Sequence, residues 1–117
     1  MEEQKFDFGN LYAGSSQVVR GGGILAKGFK VESGTVLGRL NSGELVPVDK
    51  AKQDASRNVY AIANDSYDAT EAACHITVDL TGEFNIRQLK FIAGNTAADH
   101  EYSAREVGIF FKSTIAK

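Results

Sequence analysis

The chain has 117 residues, 43% apolar and 24% charged, with a formal charge of −2. That length suits one domain with its own core, and interspersed, nearly balanced charge excludes the basic footprint of a nucleic-acid binder. No apolar run approaches the about 20 residues of a membrane span, the start lacks the apolar core of a secretory signal, and the lone Cys74 cannot close an internal disulfide, so synthesis in a cytosol is expected.

Residues 1–23 stand apart. Phe6 and Phe8 alternate with charge or glycine, and Asn10, Gly14, Ser15 and Ser16 lead to Gly21-Gly22-Gly23. Three glycines have the most backbone entropy to lose on folding, so a swivel or tight loop is expected there. The segment before them reads as an N-terminal arm, with an N-terminal strand of the domain itself as the competing reading. Residues 24–117 then form a single β-rich domain.

From Ile24 the texture is β. Ile24-Leu25-Ala26 and Phe29-Lys30-Val31-Glu32 are short strands, and Thr35 to Leu40 is a third, rich in β-branched and aliphatic residues. Asn41-Ser42-Gly43-Glu44 makes a hairpin turn into Leu45-Val46-Pro47-Val48. Pro47, which lacks an N–H, predicts an edge or an end for that strand. Lys50 to Asn58 is a solvated loop or a single helical turn. Val59-Tyr60-Ala61-Ile62-Ala63 suits a buried strand, and Asn64 to Thr70 is turn chemistry.

Ala73 to Leu80 alternates strictly, with Cys74, Ile76, Val78 and Leu80 opposite His75, Thr77 and Asp79. Thr81-Gly82 predicts a turn. Asn85 is a good N-cap for a short helix at 86–91. Ala93 to His100 reads as a polar loop, and Ser103, with Glu106 three residues on, as the cap of a second short helix. Val107, Ile109 and Phe111 alternate in a closing strand. The fold class is mainly β with one or two short helices near the C-terminus.

Little in the chain points to catalysis. Cys74 and His75 are neighbours on a strand and face opposite ways, and His100 is the only other histidine, so a core cysteine and a surface histidine are expected. Gly23 and Gly28 have Gly-x4-Gly spacing, but Phe29 stands where a phosphate loop needs lysine. Asp65 with Asp68, and Glu83 near Asp79, are the nearest carboxylate pairs, in turn and strand-end settings. No catalytic residue, metal or cofactor is expected. Phe6, Phe8, Leu11 and Tyr12 are the candidate binding residues, because aromatic side chains desolvate much area at little rotamer entropy. They could equally pack on the domain's own sheet.

Taken in order, several segments resemble the head decoration proteins of lambda-like tailed phages. They are Gly34-Thr35-Val36-Leu37-Gly38, Leu45-Val46-Pro47-Val48-Asp49, Ala61-Ile62-Ala63, the alternating strand to Leu80, Gly82-Glu83-Phe84-Asn85, and Arg105 to Lys112. Together they cover roughly Phe29 to Lys112. The resemblance implies a β-clip-like small barrel or sandwich that forms a homotrimer on the outer surface of the virion. There it would sit at three-fold positions of the expanded head and clamp neighbouring major capsid protein subunits against internal DNA pressure. The family's N-terminal arm adds a strand to a capsid-protein element, a role that would fall here to part of residues 1–23. This arm departs from the pattern, with aromatics and a glycine triplet in place of a Ser/Thr/Pro-rich tail. Two other classes stay open: a carbohydrate- or ligand-binding β module, although the chain has no Trp and its tyrosines are scattered, and a β-clip enzyme, which would need a metal-binding carboxylate set.

Overall fold

The computed structural model describes residues 18–113. Its strands are β1 (Val19–Leu25), β2 (Lys30–Val31), β3 (Val36–Arg39), β4 (Leu45–Pro47), β5 (Ala61–Ala63), β6 (Tyr67–Asp68), β7 (Cys74–Asn85) and β8 (Ile109–Lys112), with one helix, α1 (Ala97–Glu106), between the last two. Hydrogen bonding runs β1-β4-β3-β5-β7, and β1 also pairs with β7, so these five strands close into a barrel. β8 extends the sheet as a parallel partner of the last four residues of β7. β2 and β6 form a separate two-stranded ladder, so the expected turn from Asn64 to Thr70 contains a short strand.

Alternation along the strands explains why several read as continuous apolar runs. Val36 and Leu37 are neighbours in β3, yet Leu37 enters the barrel interior while Val36 joins a second cluster with Phe84, Ile109 and Phe111. In β5, Ala61 and Ala63 face inward and Ile62 faces that outer cluster. A strand covered on both faces has no polar side to present. Fully burying a side chain the size of Phe84 contributes about 1.5–3 kcal/mol.

The hairpin between β3 and β4 forms as its residues require. Leu40 N donates to Glu44 O and Gly43 N to Leu40 O, both at 2.8 Å, and β4 ends at Pro47. Asp54 caps a 3-10 turn at Ala55–Arg57 inside the otherwise irregular 50–58 loop. That turn lies against the backbone of β3. A Cβ at Gly38 would collide with the carbonyl of Ser56, so this position needs glycine for close approach.

Four expectations are corrected. Gly21 to Gly23 are neither swivel nor loop; they sit inside β1 and pair with Val78, Thr77 and Ile76 of β7. A Cβ on Gly21 would stand 2.8 Å from Leu80 Cδ1, and one on Gly23 2.6 Å from Leu45 Cδ1, so the missing side chains make room for leucines in a narrow barrel. The boundary expected after residue 23 therefore falls within a strand. Thr81-Gly82 does not turn. β7 runs through it, Gly82 takes φ 141°, which few other residues adopt, and the strand exchanges its β1 and β5 partners for β8.

The helix expected at 86–91 is a 3-10 turn at Ile86–Gln88, with Asn85 Oδ1 accepting from Arg87 N as its cap. Finally, α1 begins after Thr96, within the expected polar loop. Asp99 Oδ2 accepts from Thr96 N at 2.9 Å and from its Oγ1 at 3.1 Å, which fixes the start in the manner of a capping box. Ser103 is therefore mid-helix. Its Oγ donates to His100 O and accepts from Val59 N, tying the helix to the segment that leads into β5.

Candidate functional site

Phe6, Phe8, Leu11 and Tyr12 lie outside the described residues. What the structure shows is the place where their segment joins the barrel. Val18 reaches the backbone of Gly82, where a Cβ would stand 3.2 Å from Val18 Cγ2. Gly82 N in turn donates to Gly108 O at 3.0 Å. Three exposed apolar side chains stand within two residues of this junction: Val19 at 47%, Val107 at 40% and Phe110 at 40% exposure. The junction, set where β1, β7 and β8 meet, thus has exposed apolar side chains close by in sequence.

One residue inward the character changes. Arg20 Nε donates to Asp79 Oδ1 at 2.9 Å, and the acid has no exposed surface while the Arg20 side chain is half exposed. The pair spans the first regular rung of the β1–β7 ladder, because the register slips between Val19 and Arg20. Asp79 was expected on a polar strand face at a strand end. It is instead mid-strand and buried, with β1 and β5 on its two sides. The sequence signal was present, as an arginine directly before three glycines and an acid within an alternating strand, but neither residue specifies its partner.

The remaining chemistry is structural. Cys74 is half-buried against the barrel core and His75 is exposed. Asp65 accepts from Ser66 N and Asp68 from Thr70 N, the turn use anticipated for them. Bonds from the Thr70 side chain and backbone hold the Asp68 carboxyl below its usual range. Among the described residues there is no group of three or more His, Cys, Asp and Glu that could hold a metal ion, and no helix long and apolar enough to cross a membrane.

His100, missed by the sequence reading, is 2% exposed. Its ring stacks on Phe91 at 5.7 Å between centroids, and its Nε2 lies 2.7 Å from Asn95 Oδ1. Because that oxygen is an acceptor, Nε2 carries the proton. Asn95 Oδ1 also accepts from Lys50 N, so the imidazole fastens α1 to the loop after β4. Desolvation pushes its pKa down, with Asp99 opposing, Lys50 adding and Asp49 opposing. Shut inside this network, it has the position of a structural tie.

A family model described as bacteriophage lambda head decoration protein D matches residues 2–108. No curated protein matches the chain.

Proposed function

The chain belongs to the lambda head decoration protein D family, and from that premise we propose that it acts as a trimeric cement on the expanded phage head. As a head decoration protein it associates with the capsid of the virion. In this reading three copies occupy a three-fold position, bind the major capsid protein, and hold neighbouring subunits against the pressure of packaged DNA. Synthesis takes place in the host cytoplasm, and no step requires catalysis.

The single observation that carries the reading is the extent of the family match, which begins at residue 2 and so takes in the N-terminal segment as well as the barrel. Strand addition by that segment would supply main-chain hydrogen bonds, with Phe6, Phe8, Leu11 and Tyr12 as side-chain anchors. Three tethered segments raise one another's effective concentration to the millimolar scale. A ligand that binds only the expanded shell stabilises it by about 4 kcal/mol per site at a thousandfold excess over Kd.

The test is deletion of residues 2–17, which stops short of β1. The shortened chain should keep its circular dichroism and its trimeric elution on sizing, and should fail to sediment with expanded shells. Undiminished shell binding would remove the segment from the mechanism, and a stable monomer of the full chain would remove the trimer.

A further inference from the structure

Resting on the reading that the N-terminal segment engages the shell, we propose that Arg20 is a positioning residue. Its ion pair with Asp79 clamps the root of that segment to the barrel, so that tension drawn through the segment passes into β7.

Four observations meet at this point. In Val19-Arg20-Gly21-Gly22-Gly23-Ile24, Arg20 is the one side chain larger than hydrogen between Val19 and Ile24. Three glycines offer backbone hydrogen bonds and nothing that interlocks. The register slip between Val19 and Arg20 skips Leu80, so Val19 pairs with Thr81 and Arg20 with Asp79; such a bulge weakens the ladder and re-aims the chain where it occurs. Just inside the bulge stands a 2.9 Å charge-assisted bond to an acid with no exposed surface. Asp79 carries no exposed surface while the bond is made, and hydrogen bonds between ionised groups are the stronger kind.

The topology then distributes the load. β1 lies antiparallel to β7 along its whole length, so a pull along its axis strains many rungs at once instead of opening them singly. Asp79 is flanked on its other side by Ile62 of β5, and the far end of β1 is held to β4 through Leu25 and Leu45. A pull that frees Val19 meets the clamp before it reaches the glycines.

The experiment stretches single molecules of the full chain in two geometries. In a Cys74→Ser background, one set of handles joins the N-terminus to Ser42→Cys, which loads the root of β1. The other joins Ser42→Cys to Lys112→Cys, which leaves that root slack. The amide pair Arg20→Gln with Asp79→Asn removes both charges together, so neither of the two is left as a lone buried ion, and circular dichroism checks that it folds before it is pulled. At fixed force it should rupture about tenfold faster than the parent in the first geometry, the effect of losing one charged hydrogen bond. In the second geometry the rate should be unchanged, and Arg20→Lys, which keeps the charge, should recover most of the resistance in the first. Equal acceleration in both geometries would show a general loss of stability and overturn the proposal, as would no acceleration in either. Shell binding of the parent chain is scored separately by sedimentation, so failure of the cement reading leaves the pulling result standing.

Discussion

Gly38 and Gly22 show how differently one residue type serves this barrel. At Gly38 the 3-10 turn after β4 approaches so closely that any Cβ meets backbone atoms of Ser56, which have no rotamer through which to retreat. Gly22 points outward, and the nearest atom to a Cβ there is Ile76 O at 3.9 Å. Gly38→Ala should therefore cost about 2–4 kcal/mol, as overpacking against fixed atoms does. Gly22→Ala should be neutral or stabilising by about 0.4–1 kcal/mol through the unfolded chain. Urea midpoints of the two variants check both figures, and equal midpoints would contradict the close approach at Gly38.

His100 makes a second prediction at this scale. Its folded pKa lies below the ordinary 6.5, so between those two values the unfolded chain holds a proton that the folded chain does not. Stability is then full above about pH 6.5 and declines as pH falls toward the folded value, by at most about 1.4 kcal/mol per pH unit. The carboxyls of Asp49, Asp54, Asp68 and Asp99 are lowered from 3.8 and contribute stability lost only below that range. Among the described groups with displaced pKa values, His100 is then the one that acts in the window from pH 7 to 5. His100→Gln, which can still donate to Asn95 Oδ1, should flatten urea stability across that window; an unchanged slope would assign it elsewhere.

Among the elements, α1 is tied to the segment before β5 through Ser103, whose Oγ accepts from Val59 N. Ser103→Ala would leave the amide of buried Val59 without its acceptor, at about 1–3 kcal/mol. Hydrogen exchange should show Val59 and the amides of α1 losing protection before those of β7; uniform loss would mean that the helix is anchored by packing alone. This element was also the least legible in the sequence. Ala97 to Glu106 buries only His100 and Ala104, too few residues to print an apolar period, and the start signal at Thr96 and Asp99 was outweighed by the polar stretch around it. The strands were legible wherever one periodicity applied, as from Cys74 to Leu80. Reading failed at Gly82 and at Gly21 to Gly23 because glycine marks both turns and places where a neighbour comes close, and only the neighbour distinguishes them. Of the candidate site, composition singles out Phe6, Phe8, Leu11 and Tyr12, which lie outside the described residues. The Arg20–Asp79 pair was not legible, since it joins residues 59 positions apart.

For the whole molecule, the two apolar clusters raise the question of whether it unfolds in one step. One fills the barrel and the other lies between the barrel wall, β8 and α1. They share β3 and β5, whose successive residues serve them alternately, and β7, which gives Ile76 and Val78 to the barrel and Phe84 to the outer cluster, so loss of either cluster strips support from strands the other needs. Cooperative, two-state unfolding follows. Leu37→Ala within the barrel and Phe84→Ala outside it should each lower stability by about 2–5 kcal/mol, and each should shift a single transition without splitting it. Tyrosine fluorescence, which includes Tyr60 and Tyr67 against the barrel core, and far-ultraviolet circular dichroism should give one midpoint in each variant. A barrel signal that outlasts the loss of helix in Phe84→Ala would show that the shared strands do not couple the two clusters. Coincident curves would mean that the shared strands carry a loss in one cluster into the other.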